Sequence, residues 1–346
     1  MERREFCRFL GVCAAVGCAG GLTGCARLLD WSASDTGAAV RELKPSRAVA
    51  STPASGSPTA TGTPSAGATS TTASPAPSAL PDLALYRGPD PARNARAAVA
   101  ALGGMKRFVR KGDRVVVKPN VLTGRPPELA TTTNPYVVAA VVEMAMEAGA
   151  ADVVVLDRPT GAARTAFEVS GIAGRVAAAG GRVKYLSDRD FTNTRIPKGR
   201  ILHAWPLVSD VFDADVFINV PIAKNHGLAG LTMSMKNLMG IMGGARGTIH
   251  QDFDQKIVDV NSLVRPHLVV LDAYRILIRN GPTGGDTADV RKPMTCIAGT
   301  DPVAVDSLAT SLFNMKPGDL GYLVRAGEQG VGITDLSKVR IDRGTA

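Results

Sequence analysis

Two lysines and an imidazole lie close together in the stretch Asp215 to Gly247, DVFINVPIAKNHGLAGLTMSMKNLMGIMGGARG. They are Lys224, His226 and Lys236. A lysine binds phosphate or carboxylate as a compact point charge, and nearby glycines let backbone N–H groups approach the same anion. An imidazole moves protons near neutral pH. Apolar and small residues dominate around these groups, so the stretch reads as the floor of a ligand site. Val216 to Val220 reads as a buried strand that breaks at Pro221 into a polar turn, Lys224-Asn225-His226-Gly227. Lys236-Asn237 opens or lies in a short helix with Leu231, Met235, Leu238 and Met242 on its buried side. Those methionines read as core or pocket wall rather than as metal ligands.

The elements that must position these groups follow from short β-branched runs. Arg114 to Lys118, Asp152 to Leu156, Arg182 to Leu186, Val216 to Val220 and His267 to Leu271 read as strands, with Thr295 to Ala298 a weaker candidate. Their apolar runs are continuous rather than alternating, which calls for cover on both faces. Asn134-Pro135 caps and opens a helix that Tyr136 to Ala148 carries and Gly149 closes. Asp301-Pro302 opens another in the same way, running to about Asn314. The alternation gives an α/β fold with a mostly parallel sheet and helices on both faces, as one layer or as two lobes. Ligands in such sheets bind beyond the carboxyl ends of the strands. Those positions hold Lys118, Asn120 and Asn134; Asp157 to Gly161; Lys224, Asn225 and His226; Asp272; and the loop Asn280 to Asp286 with Gly284. The ligand-binding candidates are therefore Lys118, Asn120, Asn134, Lys224, Asn225, Lys236, Asn237 and Gly284. The catalytic candidates are His226, to move a proton, and Asp272, to orient a base or a metal. His250 follows the glycine-rich run and could approach the site, and His267 reads as structural. Asp301 reads as a helix cap, and Asp306 faces the pocket or pairs with a lysine. No ligand-spacing motif marks a metal, so metal and cofactor stay unassigned.

The chain of 346 residues carries a net charge of +9, but no Lys/Arg run is interleaved with aromatics, which excludes a nucleic-acid reading. Four of its five cysteines, Cys7, Cys13, Cys18 and Cys25, precede the folded part. The one left, Cys296, reads as buried and inert and cannot by itself hold an iron–sulfur cluster, a zinc knuckle or a disulfide. Residues 1–25 read as a signal peptide: Arg3-Arg4, then an apolar stretch shorter than the roughly 20 residues of a spanning helix, then Leu22-Thr23-Gly24-Cys25. The arginine pair resembles a Tat signal and the last four residues a lipobox, with Cys25 as the lipidation site. Residues 26–81 are dominated by Ser, Thr, Ala, Pro and Gly and read as a disordered tether. Some 50 such residues have a mean span on the order of 40 Å. The α/β domain then occupies 82–346. The expected partners are the membrane, through lipid on Cys25, the Tat translocase during export, and a small anionic ligand. The expected location is the outer side of the cytoplasmic membrane.

The segments of this domain together resemble the domain of unknown function 362 family. The resemblance rests on Val117-Lys118-Pro119-Asn120, Thr133-Asn134-Pro135, Ile218-Asn219-Val220-Pro221 with Lys224-Asn225-His226, and Met235-Lys236-Asn237-Leu238-Met239-Gly240. It continues through Asp272-Ala273, Gly281-Pro282-Thr283-Gly284-Gly285 and Gly299-Thr300-Asp301-Pro302-Val303-Ala304-Val305-Asp306, in family order from about Leu83 to Gly332. The chain departs from the family at Ile222, where a lysine is common, and at Asn225, where a threonine is common. Many relatives carry a ferredoxin-like cysteine cluster; this chain lacks those cysteines, so iron–sulfur binding does not carry over. The family name implies no reaction. Three functions stay open: an enzyme acting on a small anion, a binding lipoprotein without chemistry, and a redox partner of the kind the iron–sulfur relatives suggest.

Overall fold

A strand buried on both faces needs two cores, and alternate side chains of each central strand supply them. In the computed structural model, which describes residues 37–46 and 80–346, the chain begins with β1 (Leu83–Arg87), α1 (Pro91–Ala101), β2 (Arg114–Pro119), α2 (Pro135–Glu147) and β3 (Asp152–Asp157). Next come α3 (Ala163–Val169), α4 (Ile172–Ala178), β4 (Arg182–Tyr185), β5 (Phe191–Arg195), β6 (Ala204–Val208) and α5 (Ser209–Asp213). β7 (Val216–Val220), β8 (Ile222–His226), β9 (Gly230–Thr232), α6 (Ser234–Asn237) and α7 (Phe253–Leu263) follow. β10 (Leu268–Leu277), β11 (Val290–Arg291), β12 (Thr295–Gly299), α8 (Pro302–Ala309), α9 (Gly321–Glu328) and β13 (Ile341–Thr345) complete the chain.

The main sheet runs β13-β1-β12-β10-β7-β2-β3-β4, with β8, β9 and β11 attached off that path. The central pairs β10-β7, β7-β2, β2-β3 and β3-β4 are parallel, and β1 and β10 pair antiparallel with β12. Val115, Val117, Val153, Val155, Val216 and Ile218 point into one core with α1 to α4. Val116, Val154, Leu156, Phe217, Val269 and Leu271 point into the other, with α5, α7, α8 and the β5–β6 hairpin. A one-residue slip of register would exchange the two sets, so burial itself specifies the pairing. The described residues from Ala38 onward form one compact unit, which decides between one layer and two lobes in favour of one.

The expected helix starts are present. Asn134 accepts from the Tyr136 N–H at 3.0 Å ahead of Pro135, and Asp301 accepts from the N–H groups of Val303 and Ala304 ahead of Pro302. α8 stops at Ala309 and passes into a 3-10 turn, Thr310–Phe313, which Asn314 closes in a left-handed conformation (φ 56°).

Three expectations need correction. Lys224, Asn225 and His226 lie on a strand, β8, rather than in a turn, because β10 and β9 flank them on either side. The strand expected to end at Leu271 continues through Asp272 to Leu277, so Asp272 lies within β10. Part of the expected tether, residues 38–46, packs on the domain. Ala39 bridges Thr194, and Lys44 pairs with Asp215 at 2.7 Å and Arg41 with Asp213. Arg41, Lys44 and the partly buried Leu43 supply charge and an apolar anchor that the uncharged Ser/Thr/Pro run lacks. The signal-peptide and lipobox readings, including Cys25, lie outside the described residues. Among the described residues no helix is long and apolar enough to cross a membrane.

Candidate functional site

The chain leaves β2 toward β3 and β4 on one side and returns to β7 on the other. Beyond the carboxyl ends of neighbouring strands at such a reversal, diverging loops leave a crevice. Here the crevice is a pocket of about 710 Å³. β2 contributes Lys118 and leads to Asn120; β3 ends at Asp157 and leads to Arg158. β8 contributes Lys224 and His226, α6 contributes Lys236 and Asn237, and the 3-10 helix Arg246–His250 contributes Arg246 and His250. Five cationic side chains thus line the pocket against a single carboxylate, Asp157.

The cations are anchored differently. The Lys118 amine pairs with Asp157 Oδ1 at 2.7 Å and donates to the Pro119 carbonyl at 2.7 Å and to Asn237 Oδ1 at 3.2 Å. The Lys224 amine donates to Asn120 Oδ1 at 3.0 Å and to the Thr131 carbonyl, with no carboxylate partner among the described residues. Asn120 and Asn237 are joined at 2.9 Å, and Asn237 donates in turn to Asn219 Oδ1 at 2.8 Å. The two asparagines therefore hold the lysines in register. Arg246 donates to the carbonyls of Arg158, Met239 and Pro159, which close the loop after β3 onto the loop after α6. Lys236 has no hydrogen bond or ion pair among the described residues; its amine stands 5.7 Å from the centre of the Phe253 ring.

Gly240 is required by this packing. A Cβ there would stand 1.8 Å from Asp157 Oδ1 and 2.5 Å from the Lys118 amine. At this point the backbone after α6 presses directly on the buried ion pair.

The electrostatics follow from burial of like charges. Burial pushes the Lys118 amine down, against the pull of Asp157. Burial and then the neighbouring Lys236 push Lys224 well below its usual value. Lys236 is lowered to about 7 by burial and then by Arg246. Burial, then Lys236, lowers His226 to about 3, so its imidazole is neutral near pH 7. His226 Nδ1 accepts from the N–H groups of Leu228 and Ala229, both at 3.2 Å, which places its proton on Nε2. His250 stacks on it with ring centres 5.4 Å apart and is itself lowered by burial.

The structure thus brings together Lys118, Asn120, Lys224, His226, Lys236 and Asn237 from the sequence-based candidates. It does not bring Asp272, Asn134, Asn225 or Gly284 to the pocket wall. Asp272 is buried, and its two oxygens accept the N–H groups of Asn134 and Tyr274 at 2.8 and 2.9 Å, while burial raises it to about 6. It clamps α2 to β10 in place of the orienting role expected of it. Asn225 accepts the Gly281 N–H at 3.1 Å, and Gly284 lies against Leu277 and Thr131. Asp306 accepts the N–H groups of Ser234 and Met235, capping the short helix that carries Lys236, and is raised by burial to about 8. His267 accepts from the Phe217 N–H at 2.9 Å and is structural, as expected. Cys296 is buried, and burial raises its thiol. Asp157 and Arg158 were placed at a strand end by the sequence but given no role, and Thr232 and Arg246 were not singled out. Arg246, a charge inside an otherwise glycine-rich run, was the available signal. Among the described residues no three His, Cys, Asp or Glu side chains gather as a metal site.

The family model described as domain of unknown function (DUF362) matches residues 115–311. The thylakoid-associated protein sll1697 of Synechocystis sp. is 33% identical over 239 residues, covering 64% of this chain and 70% of its own length. Two solved structures share a distant likeness at 11% identity. A Thermotoga maritima protein aligns with a TM-score of 0.42 over 66% of this chain, and the lactate racemase apoprotein of Thermoanaerobacterium thermosaccharolyticum with 0.39 over 62%. The chain spans 60% and 53% of those two structures.

Proposed function

This chain belongs to the domain of unknown function 362 family, and from the charge of its pocket we propose that it binds a small, multiply charged anion. The observation that carries this reading is the lining of five cations against one carboxylate. Unpaired buried cations are costly, and a bound phosphate or carboxylate offsets that cost directly. The positive charge faces inward, toward a pocket sized for a small molecule rather than for a nucleic acid. The proposal extends to the cell: export by the Tat translocase, lipid on Cys25 and a domain standing off the outer side of the membrane. The motifs around Arg3-Arg4 and Cys25 support this setting, and so does a relative that is thylakoid-associated.

The test is calorimetry and thermal shift of the full chain with phosphate, pyrophosphate, malonate and citrate. At least one of these anions is expected to bind and raise the melting temperature, with affinity lost in Lys236→Met and Arg246→Gln. Absence of binding across the set would overturn the reading. A second reading, chemistry on the bound anion, is favoured by the neutral His226–His250 pair at the pocket wall.

A further inference from the structure

Among the pocket cations Lys236 alone lacks a protein acceptor within the described residues. Lys118 has Asp157, Lys224 has Asn120 and Thr131, and Arg246 has three carbonyls. Yet Lys236 as a residue is only 8% exposed. α6, which carries it, is pinned by the two hydrogen bonds to Asp306, so the amine is presented from a fixed backbone. Beside it runs a column of rings, His226 on His250 on Phe253, spaced 5.4 and 5.8 Å. His226 carries its proton on Nε2. His250 turns Nδ1 to the Gly247 carbonyl at 3.2 Å, which leaves the Nε2 lone pair buried and without a partner. The pocket wall therefore holds an unengaged amine, an N–H donor and a lone-pair acceptor.

We propose that Lys236 is a nucleophile that condenses with the carbonyl of a small anionic aldehyde or ketone to form a protonated imine. The proposal rests on the anion-pocket reading: Lys224 and Arg246 attract the carboxylate or phosphate, and the carbonyl meets Lys236. The amine lone pair forms the N–C bond while the carbonyl π pair moves to oxygen. That oxygen gains a proton and nitrogen loses one, giving a carbinolamine. The hydroxyl then takes a second proton and leaves as water while the nitrogen pair forms C=N. In sum, amine, carbonyl and one solvent proton become protonated imine and water, with no oxidant or reductant. His226 Nε2–H polarises the carbonyl, and His250 Nε2 accepts the proton from nitrogen. The like-charged surroundings that hold Lys236 at about 7 leave much of the amine unprotonated near neutral pH.

The experiment incubates the full chain with glyoxylate, pyruvate or 2-oxoglutarate, adds sodium borohydride, and reads intact mass and peptide maps. Calorimetry with the same acids, and with malonate as an anion lacking a reactive ketone, runs in parallel. A reduced adduct on Lys236 is expected, formed on the order of a hundredfold faster than on exposed Lys106, suppressed by malonate and absent from Lys236→Met. Melting of that variant confirms that the loss is not unfolding. Anion binding without an adduct on Lys236, or adducts at the rate of exposed lysines, overturns the imine and leaves the anion reading. Absence of any anion binding overturns both.

Discussion

The stability cost of each pocket lysine depends on what its amine donates to. Lys224→Ala orphans Asn120 Oδ1 and the Thr131 carbonyl, and each unsatisfied buried acceptor costs about 1–3 kcal/mol. Lys236→Met orphans nothing among the described residues and removes a buried amine near Arg246. Chemical denaturation should therefore show Lys224→Ala destabilised and Lys236→Met unchanged or more stable, with anion affinity falling in both. The pH dependence has a definite sign. Lys236 is lowered to about 7 from 10.5, so between those values the unfolded chain holds a proton that the folded chain has lost. Its contribution to stability then rises with pH across that window. The advantage of Lys236→Met over the natural protein should be full below about pH 7 and shrink toward pH 10. A bound anion that offers no carbonyl, such as malonate, favours the protonated form of Lys236, so its binding should take up protons, and its affinity should fall as pH rises above about 7. Calorimetry in buffers of different ionisation enthalpy measures that uptake. Parts of this site were legible in the chain because Lys118, Lys224 and Lys236 follow or interrupt apolar runs. Asp272 was misread because an acid after a β-branched run looks like a strand-end catalytic group. Only the fold shows that its oxygens are used by two backbone N–H groups.

At the scale of elements, the site depends on how β3 and α6 meet. Gly240 lets the turn after α6 lie against the Lys118–Asp157 pair, and a methyl group there has no room. Breaking a buried pair leaves an uncompensated charge and costs about 3–5 kcal/mol. Gly240→Ala is therefore expected to lower stability by an amount of that order, measured by denaturant unfolding. Asp272→Ala provides the contrast. It frees the N–H groups of Asn134 and Tyr274, loosening α2 against β10, and none of these three residues lines the pocket. It should lose stability while anion affinity in the folded fraction stays the same; a selective loss of affinity would return Asp272 to the site. The parallel strands were readable because burial on both faces writes continuous Val and Ile runs into the sequence. β8 was not, because its residues Lys224, Asn225 and His226 are polar, and its strand geometry comes from β9 and β10 on either side. β1 and the edge strand β13 beside it leave an equally weak signature in the chain.

For the whole molecule the question is how a domain with an inward-facing cationic pocket is held at its place of work. Residues 38–46 clasp the domain through Ala39, Arg41 and Lys44, and the Lys44 carbonyl accepts from His267 Nε2 at 2.8 Å. If Cys25 carries the anchor, Cys25→Ala should move the protein from the membrane pellet to the soluble fraction with anion affinity unchanged. Replacing Arg3-Arg4 by a lysine pair should leave unprocessed precursor in the cytoplasm. Fractionation and immunoblotting read both. A Cys25→Ala protein that stays in the pellet would mean that the domain has a membrane contact of its own, and the lipid anchor would then be unnecessary to the proposal.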